Sequence, residues 1–321
     1  MSQKYGPIFS LRLGTKLHVV VNTTDLVKVV ARDLDQTFSN RDPPLTALTI
    51  SGGIDVAFSN HRHWRDMRKI VVSRVMSTAS LEASQSLRTN EVRRMVGDVY
   101  GRVGTEIDIN KVAYDTEINV VTSMLWGCNK GVNVGDGFRE VAFRIVELLA
   151  APNISDFIPM LSRFDLQGRQ REMQKIKEHM YRILENVIRQ RIDANSREME
   201  KDERKDFLQI LLDEKDDPTS SIDHITQIKA LLMDVVVATT DTTSTMVEWV
   251  MAATLSNPEV MRKVQEELTD VIVASFLHSF DWSLQKDEDF DLSEEFGIVM
   301  KKRKPLIAIP SPRLSDASLY L

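Results

Sequence analysis

The sequence predicts a mainly α fold with a small β part built from both ends of the chain. Three observations carry that expectation. Helical periodicity runs almost without pause from about residue 81 to residue 268. Strand-like alternation is confined to the first 21 residues and to the stretch after residue 295. The chain has 321 residues, 42% hydrophobic and 27% charged, an ordinary globular balance with no shift that marks a second autonomous domain.

Ile8 to Leu13 reads as a strand, turned by Gly14-Thr15-Lys16 into a second strand, Leu17 to Val21. Thr23 or Thr24 is placed to cap a helix carrying Leu26, Val27, Val29 and Val30. Arg41-Asp42-Pro43-Pro44 stops regular structure, and Gly52-Gly53 opens a loop before His63-Trp64-Arg65. Amphipathic helices are expected over 81–103, 109–126, 138–149 and 166–192. Asn153-Ile154-Ser155-Asp156 interrupts that series. One long apolar helix starts near Ile222 and continues through Met251, and Asn257-Pro258-Glu259 starts the next. Val271 to Trp282 is a short apolar helix or strand, and Asp287 to Glu295 an acidic loop. Phe296–Met300 and Leu306–Ile309 read as paired strands around the basic turn 301–305.

A net charge of −6 argues against a nucleic-acid binder. The single cysteine, Cys128, excludes an internal disulfide and a Cys-rich metal site. His61 and His63 form an H-x-H pair with no further ligand at metal spacing. No apolar run is long enough to span a bilayer, and residues 1–10 hold no apolar signal core.

Two clusters could carry chemistry. Ala238-Thr239-Thr240-Asp241-Thr242-Thr243 interrupts the long apolar helix with an acid and hydroxyls. Mid-helix Thr bonds back to the carbonyl four residues earlier and can open a turn, beside which an acid can relay protons. The alternative is that these side chains only cap one another within a bundle. Trp64 and Arg68, four apart, share a helix face. They form either a donor pair for a carboxylate-bearing ligand or an ordinary stacking contact.

Taken in order, several segments resemble plant cytochromes P-450. They are Phe38-Ser39-Asn40-Arg41-Asp42-Pro43-Pro44, Trp64-Arg65-Asp66-Met67-Arg68-Lys69, Asp156-Phe157-Ile158-Pro159 with Asp165-Leu166-Gln167-Gly168, and Ala238 to Thr243. Asn257-Pro258, His278-Ser279-Phe280-Asp281-Trp282 and Pro310-Ser311-Pro312-Arg313-Leu314 complete the set. The resemblance implies a haem-thiolate monooxygenase that hydroxylates a small hydrophobic, terpenoid- or phenylpropanoid-like molecule. Such enzymes use O2 and electrons relayed from NADPH by a reductase at the endoplasmic-reticulum surface. It implies that Trp64 and Arg68 bind a haem propionate and that Ala238 and Thr239 lie on the face of haem b. Asp241 and Thr242 become the proton-delivering acid–alcohol pair. Thr239 stands where the family usually has glycine. Ile54 and Phe58 in the 52–58 loop, Phe157, and Val299 in the 297–300 strand match segments that line the substrate pocket.

The chain departs from the family in one block. Nothing fits the haem-cysteine loop F-x-x-G-x-R-x-C-x-G, and the E-x-x-R helix is missing. Cys128 stands on the wrong side of the motif order to replace that cysteine. Residues 265–270 resemble the helix just after the oxygen-binding helix, and 271–277 the helix after the cysteine loop. The expectation is one domain over 1–321, an incomplete cytochrome P-450 fold with a deletion junction near 270–271 and no N-terminal membrane anchor. Such a chain is expected to be cytoplasmic or loosely membrane-associated, catalytically inactive, and loosely packed where the missing block leaves apolar faces bare. The alternative function is a non-catalytic truncated isoform that binds the reductase or another partner.

Overall fold

The structure, a computed structural model, describes residues 2–127, 135–196, 206–222, 224–267, 272–284 and 291–320. Its principal helices are α1 (Leu45–Ser51), α2 (His61–Ile70), α3 (Gln85–Tyr100), α4 (Ile109–Trp126), α5 (Gly135–Ala150), α6 (Arg169–Ser196), α7 (Phe207–Asp216), α8 (Ile225–Leu255), α9 (Pro258–Glu267) and α10 (Ile272–Ser279). The strands are β1 (Ile8–Leu13), β2 (Lys16–Val21), β3 (Ile107–Asp108), β4 (Phe280–Ser283), β5 (Glu294–Glu295), β6 (Lys301–Lys302) and β7 (Ile307–Pro312). The architecture is therefore mainly α with small sheets. None of the described helices is long and apolar enough to cross a membrane.

Helix α8 is the spine. It starts in a capping box, in which the His224 amide donates to Gln227 Oε1 at 3.0 Å. Its first half, Ile228 to Val236, joins a core with Met67 of α2, Trp126 of α4, Phe138 of α5, Leu184 of α6 and Leu208 of α7. Its second half, Val247 to Ala252, joins another with Val99 of α3, Ile109 of α4, Phe276 of α10 and Tyr320. Each large side chain buried in these clusters contributes about 1.5–3 kcal/mol of hydrophobic free energy. Helix α4 also enters both cores, and it is the helix the sequence frames most sharply. Asp108 caps its start, accepting from the Lys111 amide at 3.0 Å, and Gly127 ends it at φ +75°.

Strands β1 and β2 pair antiparallel, with Ile8 opposite Val21 and Leu13 opposite Lys16. Neither strand pairs with any other described strand, and Ile8, Leu11, Leu13, Leu17 and Val19 stay exposed. The turn is docked instead on residue 157: the Thr15 amide donates to the Phe157 carbonyl at 2.8 Å. Gly14, at φ +59°, is required there twice over, since an added Cβ would lie 2.3 Å from that same carbonyl oxygen. The second sheet runs β3-β7-β4, all antiparallel, and draws on the middle and the end of the chain.

Three sequence expectations need correction. Residues 296–300 are not a strand: β5 pairs β6 around them, and β7 pairs β3 and β4. The physical reason lies at 305–306, where Pro305 offers no N–H and the Leu306 amide is taken by Glu248 Oε1 at 2.8 Å. Phe296, 87% exposed, therefore sits on a loop with no buried face despite its alternating neighbours. The helix after Thr23 is short, Thr24–Lys28, widens into a π turn at Val29–Asp33, and has no side-chain cap at Thr23 and no buried residue. The helix expected over 81–103 is broken at Ser84, with α3 beginning at Gln85. Exposed large apolar side chains occur along the β1–β2 hairpin, over residues 27–38, 158–166 and 296–300, and at Met76 and Met246. The expected junction at 270–271 lies outside the described residues, as do Cys128 and residues 287–290 of the acidic loop.

Gly14→Ala is expected to undock the hairpin, since a left-handed non-glycine residue costs on the order of 1–2 kcal/mol before any clash. Amide exchange at Phe9 and Val20 should rise at least about tenfold in the variant; unchanged exchange would contradict the docking.

Candidate functional site

The polar stretch of α8 falls in the gap between the two cores. Val236 is the last α8 residue in the first, and Val247 the first in the second. Asp241, Ser244 and Thr245 lie between them, all buried. The helix is not opened at this point; it is continuous over Ile225–Leu255. The hydroxyls do bond back along it: Thr239 Oγ1 donates to the Val235 carbonyl at 2.7 Å, and Thr242 Oγ1 to the Ala238 carbonyl at 3.0 Å. Those carbonyls already serve the helix ladder, so the expected free carbonyl is not formed.

Asp241, 4% exposed, is held by an ion pair that the sequence did not disclose. Lys301 Nζ of β6 donates to its Oδ1 at 2.6 Å. The same ammonium lies 4.3 Å from the Phe143 ring centroid on α5. The other oxygen, Asp241 Oδ2, and Thr245 Oγ1 are buried with no hydrogen-bond partner. Trp249 Nε1 donates to the Met300 carbonyl at 2.9 Å, and buried Glu248 accepts from the Leu306 amide and from Asn110 Nδ2 at 3.1 Å. Burial pushes the Glu248 carboxyl up from its ordinary value. Three side chains of α8 therefore bind the 300–306 segment across the helix.

A different face of α8 is bare. Ala238, Thr242 and Met246, spaced four apart, are exposed, Met246 at 64%. Thr239, on the same side, is partly exposed.

Trp64 and Arg68 form a second cluster. The Arg68 guanidinium carbon lies 5.4 Å from the Trp64 ring centroid, and that of Arg41 4.9 Å away, so the indole sits between two cations. Arg41 is fixed by a reciprocal pair with Asn60, just before α2: its amide donates to Asn60 Oδ1 at 2.6 Å, and Asn60 Nδ2 donates to its carbonyl at 2.9 Å. The side chains of Arg62, Arg65, Arg68 and Lys69 are exposed, giving α2 a cationic outer face.

The remaining predicted residues divide among three places. Ile54 and Phe58, both partly buried, flank a loop anchored on α8 through Asp234, whose Oδ2 accepts from the Val56 amide at 2.6 Å. Phe157 belongs to the hairpin side: its carbonyl receives Thr15, and its ring lies 6.3 Å from that of His18. Val299 lies within two residues of both Met300 and Lys301, on the segment tied to α8. Asp241, Thr242 and Val299 are thus gathered along one stretch of helix, whereas Trp64 with Arg68, and Phe157, stand apart from it.

Sequence reasoning missed Lys301, Arg41 and Asp234. Lys301 is 60 residues from Asp241, and nothing local in a basic turn marks one lysine as the partner. Asp234, by contrast, was visible as an acid in Leu231-Leu232-Met233-Asp234-Val235-Val236.

Comparisons with known proteins bear on these residues. The family model described as "Cytochrome P450" matches residues 1–275. Geraniol 8-hydroxylase of Catharanthus roseus is 30% identical over 280 residues, which cover 85% of this chain and 56% of that protein. Geranylhydroquinone 3''-hydroxylase of Arnebia euchroma is 31% identical over 281 residues, again 85% and 56%. Flavonoid 3',5'-hydroxylase 2 of Petunia hybrida is 29% identical over 280 residues, covering 85% and 54%. The chain spans about half the length of these curated relatives. A zebra fish cytochrome P450 structure with progesterone shares the fold, with a TM-score of 0.65 at 20% identity over 83% of this chain and 61% of that one.

Lys301→Met leaves the Asp241 carboxylate buried beside an orphaned oxygen. It is expected to lose about 2–3 kcal/mol, less than a fully enclosed pair would, because Lys301 is partly exposed. Adding Asp241→Asn should restore most of that loss in a denaturant-based double-mutant cycle. Additive losses would show that the two side chains do not interact.

Proposed function

The chain belongs to the cytochrome P450 family, and from that premise we propose that it descends from a plant monooxygenase and does not itself turn over. The ancestral activity is hydroxylation of a small hydrophobic molecule, terpenoid- or phenylpropanoid-like, with O2 and electrons from an NADPH-dependent reductase at the endoplasmic-reticulum surface. Relatives whose names include geraniol, geranylhydroquinone and flavonoid hydroxylases support that substrate class.

The family's cofactor is haem, and an axial cysteine thiolate supplies the electron density for oxygen activation. The residues present do not fit that group. The observation that carries this reading is Lys301: its ammonium occupies the carboxylate of Asp241, the acid the family resemblance makes a proton donor. The oxygen that the ammonium occupies, Asp241 Oδ1, is committed to the 300–306 segment rather than to a proton relay. The sequence's only cysteine, Cys128, precedes α8 rather than following it. No step is therefore assigned to Asp241 and Thr242 in this chain.

An internal deletion near residues 270–271 accounts for these features together. It would leave the β1–β2 hairpin with no neighbouring strand among the described residues. Its direct check is the transcript sequence across the codons for Asp270 and Val271.

A second reading rests on the cationic outer face of α2. Arg62, Arg65, Arg68 and Lys69 suit an acidic protein surface, so the chain could act as a non-catalytic competitor for the reductase. A pull-down with the reductase that recovers none of the chain would remove that reading.

After expression with haem supplied, the reduced carbon-monoxide difference spectrum is expected to lack a thiolate-type Soret band. A clear thiolate-type band, with product formed from a terpenoid alcohol, would overturn the proposal.

A further inference from the structure

We propose that Asp55 and Asp234 form a proton-operated latch, which holds the 52–58 loop on α8 while the pair carries a proton and loosens it once both carboxyls are ionised. The geometry is a two-sided clasp. Asp234, from the middle of the apolar half of α8, accepts from the Val56 amide at 2.6 Å and also from the Ala57 amide. Asp55, 1% exposed, accepts from the Phe58 amide at 3.1 Å within the same loop, with Ser51 also bonded to it. Two acids thus hold backbone of one short loop, Asp234 at residues 56 and 57 and Asp55 at residue 58.

Among the described residues, no cation is paired with either carboxylate. From α6 come Tyr181, Lys177 and Glu185; from α8, Lys229; from α2, His63. Lys229 Nζ lies 2.9 Å from Glu185 Oε2, and Lys177 Nζ donates to the Thr49 carbonyl at 2.9 Å. Both ammonium groups flank the Tyr181 ring, at 5.5 and 5.4 Å from its centroid, rather than either carboxylate. His63 Nε2 lies 3.1 Å from the Ile54 carbonyl and holds the loop from its other end. On α4, which packs along α8, the partly buried acid is Glu117, itself pushed up by burial. Two negative charges in so enclosed a place repel with little screening, so one shared proton is the favoured state.

The electrostatics agree in direction. Burial, and then the Asp55 carboxylate, pushes Asp234 up to about 7; burial pushes Asp55 up as well. Tyr181 is raised to about 12, by burial first and then by the two acids. A carboxyl raised in the closed state contributes stability that is complete below its ordinary value and is lost as pH climbs through 7. The latch is therefore tightest in acidic solution, loosens as pH rises to about 7 and changes little beyond it. The inference is independent of the proposed chemistry, because its readout is the loop itself.

The test is hydrogen exchange on the full chain, followed at the Val56 and Ala57 amides with α4 amides as the folding control. After correction for intrinsic exchange, loop opening should increase about tenfold between pH 6 and pH 8, the change that a value near 7 in the closed state requires. Asp234→Asn, which keeps an acceptor oxygen but no proton to lose, should stay protected at both pH values. An infrared band of a protonated carboxyl, present at pH 6 in the wild type and diminished in Asp234→Asn, gives a second readout. Equal wild-type opening at the two pH values overturns the proposal. So does an undiminished pH dependence in Asp234→Asn, which would place the switch outside Asp234. Unprotected α4 amides at both pH values overturn it too, because the clasp requires the folded helices.

Discussion

The structure turns on the burial of one carboxylate in the middle of its most apolar long helix. Helix α8 supplies both hydrophobic cores, and Asp241 falls in the short gap between them. A charge in that position is expensive unless it is paired. Lys301 provides the pairing, and in doing so fixes where the end of the chain runs. Trp249 and Glu248 extend the same attachment to Met300 and Leu306, which leaves β7 free to pair with β3 and β4. The C-terminal sheet is thus set by three side chains of one helix as much as by its own hydrogen bonds.

This attachment also decides what the polar stretch can do. An acid and a threonine at the centre of a helix can serve proton transfer when the acid is free to exchange its proton. With an ammonium on one oxygen, Asp241 becomes an anchor. The other side of the helix, marked by Ala238, Thr242 and Met246, is exposed. The hairpin at the start of the chain is likewise exposed. Among the described strands its two pair only with each other, and its turn is tied to the body by the contact of Thr15 with the Phe157 carbonyl, beside the His18–Phe157 ring contact. An isolated hairpin is marginal in water, so these contacts carry much of its stability.

The helices were legible because their signals are local. Asp108 and Gly127 frame α4, and Asn257-Pro258 sets the start of α9. The α8 periodicity needed only its own residues. Errors appeared where a long-range interaction overruled a local pattern. Residues 296–300 alternate like a strand, but Glu248 draws the Leu306 amide to α8 and removes the expected partner. The candidate site was half legible for the same reason. Asp241, Thr242, Trp64 and Arg68 could be singled out by type and spacing. Lys301 and Arg41 could not, because their roles come from the packing of distant segments. Asp234 was as visible as Asp241, and only its bond to the loop amides separates an anchoring acid from an unexplained one.

The central claim is that Asp241 and Lys301 are in direct contact, and zero-length carbodiimide coupling of the native chain tests it most directly. Peptide mapping should recover an amide bond joining the Asp241 carboxyl to the Lys301 amine, with Lys301 slow to react with an added acylating reagent. A Lys301 that is acylated as fast as an exposed lysine, with no Asp241–Lys301 product, would contradict the account.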